Sequence, residues 1–273
     1  MNISVSGSIT LTGNLRAGVA PPEFPTASGT RMFVIGNQND MVYQYSLDTP
    51  WDITTADFID SSNQLTSNPQ GLFFRPDGTN MFVSRSNNII ERYDLSIPLD
   101  ITTVTSPPQQ SLNTDDAPFG ISFRPDGTNM FMIGVDNDNI YRYDLLTPWD
   151  LTTTSTPTSS FDISEFSVPS GLFFRDDGTQ FFVIQGNTLR GYTMTTPWDI
   201  TTAQLTDTNS SLTSGTSVGV YFRQDGSSFF VVTQTTDEVH RYDMSIPWDI
   251  TTADFVNSSP VIPDSVPTDL FFG

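Results

Sequence analysis

Near-copies of one short pattern run through this chain at a fixed step, and that step limits what it can become. The nonapeptide PWDITTADF occupies residues 50–58 and returns letter for letter at residues 247–255. Its relatives place Trp51, Leu99, Trp149, Trp198 and Trp248 in one phase, 48 to 50 residues apart. A second marker keeps the same step: GLFFRPDGTNMFV from Gly71, GISFRPDGTNMFM from Gly120, GLFFRDDGTQFFV from Gly171 and GVYFRQDGSSFFV from Gly219. A third lies between them and sets Tyr45, Tyr93, Tyr143, Tyr192 and Tyr242 in register. Three markers in one phase mean a chain built from repeated units that bury their faces against one another.

Each unit reads as four strands. GLFF is a short apolar strand, PDGT a turn whose glycine is free to take a positive φ, and NMFVSR a second strand. A polar hairpin such as DNDN at 136–139 leads to a third, alternating strand. PWDITTADF then turns a corner at its proline into a fourth, outer strand to which the Thr-rich DITTA is suited. No window keeps a helical period, so almost no helix is expected. Four strands in about 49 residues is the size of a propeller blade.

The two ends hold complementary halves of one unit. The terminal TDLFFG supplies a first strand, with Leu270, Phe271 and Phe272 in the phase of Leu72, Phe73 and Phe74. TASGTRMFVIG near the start supplies a second strand without a first, with Gly29 in the phase of Gly78. The expectation is an all-β fold: a five-bladed β-propeller of four-stranded blades over residues 26–273. It is closed by the C-terminal strand pairing in the N-terminal blade. Residues 1–25 lie outside the ring. ISVSGSITLTG alternates, with Ile3, Val5, Ile9 and Leu11 as its apolar positions, and APPEFP follows as a stiff linker. This reads as an extended β arm that needs a partner.

Charge narrows the function. The chain carries 31 acidic and 11 basic residues, net −20, and every basic residue is arginine. A nucleic-acid partner needs a basic footprint, and an anionic membrane would repel this surface. No cysteine is present, so disulfides and thiolate metal sites are excluded. The N-terminus lacks the pattern of a signal peptide, no stretch is long and apolar enough to insert into a membrane, and no cofactor motif stands out.

A catalytic residue should break the repeat, and most acids obey it. Asp77, Asp126, Asp177 and Asp225 belong to the DG turns; Asp52, Asp100, Asp150, Asp199 and Asp249 cap the PWD corners. Arg75, Arg124, Arg175 and Arg223 recur once per unit and are expected to pair with an acid of their own blade. The tryptophans, replaced once by Leu99, read as packing, and the tyrosines as core. His240 is the only histidine and reads as an exposed strand residue. The acids that break the pattern are Asp115, Asp116, Asp136, Asp138, Asp162, Glu165 and Asp264, all in loops expected on one face. Asp115, Asp116, Asp136, Asp138, Glu165 and Asp264 are the candidates for contacting a ligand or surface there. Asp136 and Asp138 also form a weak calcium candidate without the glycine or terminal glutamate of an EF-hand loop.

The motif order resembles WD40-like and related propellers. FRPDGTNMFV and TPWDITTADF in particular are similar to blade repeats encoded by phages of aquatic bacteria. That resemblance implies a non-enzymatic virion structural protein assembled in the host cytoplasm: a fibre, spike or capsid/tail decoration subunit. The N-terminal arm would bind other virion proteins, and the loop face would meet a host-surface glycan. Two alternatives stay open. One is a soluble carbohydrate-binding propeller resembling the tachylectin-type lectins; the other is a lactonase- or glycosidase-like enzyme with acids at the channel mouth.

Overall fold

A computed structural model describes residues 27–212 and 215–273. The expected arm, with Ile3, Val5, Ile9 and Leu11, lies outside the described residues. The strands are β1 (Arg31–Gly36), β2 (Met41–Leu47), β3 (Ala56–Ser61), β4 (Pro69–Phe74), β5 (Asn80–Arg85), β6 (Ile89–Asp94) and β7 (Gln110–Asn113). They continue with β8 (Pro118–Phe123), β9 (Asn129–Gly134), β10 (Asn139–Asp144), β11 (Ser159–Asp162), β12 (Gly171–Phe174) and β13 (Gln180–Gln185). The remainder are β14 (Thr188–Met194), β15 (Ala203–Asn209), β16 (Ser217–Phe222), β17 (Ser228–Thr233), β18 (Glu238–Met244), β19 (Ala253–Ser258) and β20 (Pro267–Phe272).

They form five antiparallel four-stranded sheets: β20-β1-β2-β3, β4 to β7, β8 to β11, β12 to β15 and β16 to β19. The innermost strands β20, β4, β8, β12 and β16 touch in that order and close back on β20. The five-bladed ring is as expected, and so is its clasp. β20 pairs with β1, with Met32 opposite Phe272, Val34 opposite Leu270 and Ile35 opposite Asp269. The only helices among the described residues are 3₁₀ turns of three residues.

One of these turns corrects a local expectation. ITT of DITTA is not strand but a 3₁₀ turn at each corner, because the aspartate before it takes the backbone's first free donor. Asp52 Oδ1 accepts Thr54 N–H at 3.1 Å, and Asp100, Asp150, Asp199 and Asp249 repeat the bond. The outer strand starts only after the turn.

The tryptophan before each cap is the wedge between blades. Trp51, Trp149, Trp198 and Trp248 have φ of 65 to 68°, and Leu99 has 56°. The backbone N–H at this position donates to the carbonyl of the DG-turn glycine, 2.9 Å for Trp51 to Gly29. The indole lies where that glycine would carry a Cβ, within 2.4 Å of it at Gly29, Gly127, Gly178 and Gly226, so no side chain fits there. Each indole lies between the innermost strand of its own blade and that of the blade before it: Trp149 stacks on Phe123 of its own blade and Phe73 of the preceding one, and Trp248 on Phe222 of its own and Phe173 of the preceding one. Above it sits an arginine of that preceding blade. Arg75 covers Trp149, Arg124 covers Trp198, Arg175 covers Trp248 and Arg223 covers Trp51, at 4.9 to 5.8 Å. Each arginine also pairs with its own turn aspartate at 3.0 Å, as expected. At the fifth junction the chain has Gly273 where the arginine would be and Leu99 where the tryptophan would be; both partners are absent together. The hydrophobic clusters accordingly lie between blades, one mixing Met32 and Val34 with Phe230 and Val232.

Deleting residues 269–273 is expected to cost the burial of Leu270 and Phe272 plus their ladder, and to lower the melting temperature by roughly 10–20 °C. An unchanged melt would contradict closure by β20. Trp149→Leu, which copies Leu99, should destabilise by less than about 2 kcal/mol, and Trp149→Ala by about 3–5 kcal/mol, in urea titration.

Candidate active site on the ring axis

The innermost strands converge on the axis, and their sequence differences gather there. At the first axial level four blades carry Gly71, Gly120, Gly171 and Gly219, and the clasp strand carries Asp269. The glycines are forced by approach. A Cβ on Gly71 would lie 2.3 Å from the Phe119 carbonyl, and one on Gly120 would lie 2.7 Å from Leu172 N. Asp269 is therefore the one side chain in this collar. It is 7% exposed; Oδ2 accepts Leu72 N–H and Oδ1 accepts Leu270 N–H, each at 2.9 Å. Burial outweighs those two donors and pushes its carboxyl up to about 7.

The next axial level is aromatic. Phe271 meets Phe73 at 5.6 Å and Tyr221 at 5.3 Å, and Tyr221 meets Phe173 at 5.4 Å, all edge to face. The second full copy of the marker breaks this ring, placing Ser122 between Phe73 and Phe173. The Tyr221 hydroxyl donates to the Phe272 carbonyl at 3.3 Å. At the far end Asp176 replaces the proline of Pro76 and Pro125 and accepts from Gln224 Nε2 at 2.9 Å. Desolvation, then the neighbouring Asp177, raises the Asp176 carboxyl. Ser122, Asp176, Tyr221, Gln224 and Asp269 all line one axial cavity of about 290 Å³. Beyond the collar, on the opposite face, a vestibule of about 320 Å³ is rimmed by Gln70, Phe119, Ser170, Val218 and Thr268, one from each blade.

The acids singled out from the sequence lie elsewhere, in the loops of the vestibule face. Asp116 is 1% exposed and accepts from Asp136 N–H, Asn137 Nδ2 and the Tyr141 hydroxyl at 2.8 to 3.1 Å. Asp264 is 2% exposed and accepts from Asn39 N–H, the Tyr43 hydroxyl and Val266 N–H at 2.9 to 3.2 Å. These two are one device, each pinning a hairpin tip under Gly134 or Gly36, and neither is free for a ligand. Glu165 accepts from the Tyr192 hydroxyl beside Arg190. Asp115 and Asp136 are exposed, and Asp138 turns its hairpin with φ of 51°. Among the described residues no three acids or histidines gather to hold a metal, so Asp136 and Asp138 have no third acid ligand. His240 is not the exposed residue expected: it is 7% exposed, its Nε2 is 3.3 Å from Glu238 Oε2, and it packs against Phe255.

Asp269 and its cavity partners were missed although a signal existed. Matching Leu270 to Leu72 also aligns Asp269 with Gly71, and this is a break in the repeat as large as a glycine-to-acid exchange.

No family model matches the chain, and no curated protein matches it. Solved structures do. A candidate 6-phosphogluconolactonase from Bacteroides fragilis is 11% identical at a TM-score of 0.55, over 91% of this chain and 85% of its own. The periplasmic gluconolactonase of Pseudomonas aeruginosa is 15% identical at 0.52, over 89% and 70%. A protein of unknown function from Desulfotomaculum acetoxidans is 14% identical at 0.51, over 88% and 74%. At such identities the shared feature is the propeller fold. The two lactonases nevertheless correct the expectation of a non-enzymatic virion subunit, and turn the functional reading to the lactonase alternative. Among the described residues no helix is long and apolar enough to cross a membrane.

The raised Asp269 carboxyl makes the folded state bind a proton that the unfolded chain, with an ordinary carboxyl near 4, releases. Folding stability therefore falls as pH rises from about 4 to about 7, by on the order of 4 kcal/mol from this group. Asp269→Asn should melt progressively higher than the native protein as pH is raised from 5 to 8. A constant difference across that range would contradict the buried, proton-binding carboxyl.

Proposed function

We propose that this propeller is a lactonase-type hydrolase whose reaction centre is the axial cavity, with Asp269 as general base. The observation that carries the reading is convergence: the side chains that break the repeat on the inner strands and in the turns just after them, Ser122, Asp176, Tyr221, Gln224 and Asp269, line a single cavity. A repeat protein that needed only packing would have no reason to spend its exceptions there. The names of the two lactonase neighbours support the same class of reaction.

The chemistry asks little of the chain. Asp269, ionised, takes a proton from water as the water oxygen bonds to the lactone carbonyl carbon. The tetrahedral intermediate collapses with cleavage of the ring C–O bond, and the departing alkoxide takes the proton back. The product is the open hydroxy acid. A carboxyl near 7 suits this task, because it is basic enough to accept the proton and is about half ionised at neutral pH. The collar glycines let backbone approach this level closely, and the aromatic wall keeps bulk water from the ester.

A glycosidase fits less well. Its two carboxyls flank one bond, at about 5–10 Å. Asp269 and Asp176 stand at opposite ends of the inner strands, roughly 15 Å apart by strand rise. Asp176 and Gln224 are placed to meet a substrate entering at the mouth.

Hydrolysis of a panel of γ- and δ-lactones, corrected for the spontaneous reaction, tests this reading. Asp269→Asn should lower kcat/KM at least about 100-fold while the protein stays folded. The native profile should rise with pH through about 7, because only the ionised carboxylate is the base. Full turnover by the Asn variant would overturn the assignment.

A further inference from the structure

We infer that the substrate of this site is an uncharged lactone with an apolar substituent, and not a phosphorylated sugar lactone; this rests on the lactonase reading above. A phosphate group needs a free cation or a cluster of open N–H groups. Among the described residues Arg75 is the sole cation lining the cavity, and its Nε, its Nη1 and one face of its guanidinium are already engaged. Its Nε pairs with Asp77 Oδ2 at 3.0 Å, Nη1 donates to Asn80 Oδ1 at 3.3 Å, and the guanidinium plane covers Trp149 at 5.7 Å. The other ionisable side chains lining the cavity among the described residues are the carboxyls of Asp176 and Asp269 and the phenol of Tyr221, none of which attracts an anion. A chain of net charge −20 adds long-range repulsion toward an anionic ligand.

The shape of the wall supplies the positive half of the inference. Phe271, Phe73, Phe173 and Tyr221 occupy four of the five places around the axis, and Ser122 leaves the fifth without a ring. The missing ring leaves a notch walled by the Phe73 and Phe173 rings, with the small Ser122 at its base, one level from Asp269. A cyclic ester beside Asp269 would run its substituent through that notch. A polyol chain would have to give up its hydration against phenyl faces there.

Three probes separate the possibilities: δ-decalactone, D-glucono-δ-lactone and 6-phospho-D-glucono-δ-lactone, each assayed with the full chain. The expected order is the alkyl lactone first, with kcat/KM at least 100-fold above that of the phosphorylated one. Ser122→Phe restores the ring and should raise KM for δ-decalactone at least tenfold without lowering the melt; if that variant does not fold, Ser122→Leu serves the same purpose. Equal or better turnover of the phosphorylated lactone overturns the inference and leaves the lactonase reading intact. An unchanged KM in the folded Ser122 variant also overturns it. If no lactone is turned over, the lactonase reading falls. Saturation-transfer NMR on Asp269→Asn then decides the ligand class: binding of δ-decalactone that Ser122→Phe abolishes supports it, and absence of binding overturns it.

Discussion

The stack of arginine over tryptophan at four of the five blade junctions is what the ring depends on. A blade alone is a small twisted sheet with two apolar faces and no stable existence in water. The indole solves this by standing between blades, in the turn and on the inner-strand phenyl of its own blade and on a phenyl of the blade before it. It needs a left-handed backbone at its own position and a bare glycine opposite, and both costs recur in every blade that has the tryptophan. The arginine seals the top, and its aspartate in turn fixes the arginine. The one junction without this stack is the clasp, where Leu99 packs against Gly273 and Arg31 Nη1 reaches the Leu99 carbonyl at 2.9 Å instead.

Period made the blades legible. Any residue whose job is the same in each blade, such as Asp52, Arg75 or Tyr93, shows that job by recurring in phase. The same logic misled where two blades use one device a residue out of step. Asp116 lies four places before Gly120, whereas Asp264 lies five before Asp269. In linear phase they look like independent exceptions, but a bulge in the strand start brings both beneath a hairpin glycine. The duplicated nonapeptide was read correctly as a corner and outer strand, except that its ITT coils into a 3₁₀ turn under the aspartate cap.

The axial site was harder to see for a geometric reason. Alternation along a strand shows which residues share a face; it does not show that one face of five strands meets at a point. Ser122, Tyr221 and Asp269 stand in three different repeats, and each looks like ordinary drift inside its own marker. Only ring closure makes them neighbours. The acids chosen from the loops were conspicuous in the sequence because they lie outside the markers, which is where hairpin tips need anchoring.

Asp269 sits on the clasp strand itself, opposite Ile35 of β1. The group assigned to the chemistry and the latch of the architecture are thus the same short segment. If that strand peels away, the collar opens, the carboxyl returns to water, and its proton affinity relaxes to that of an ordinary aspartate. An unlatched ring is therefore not a slower version of the closed one but a molecule without the base, so a population of frayed propellers would register as missing sites rather than weakened ones.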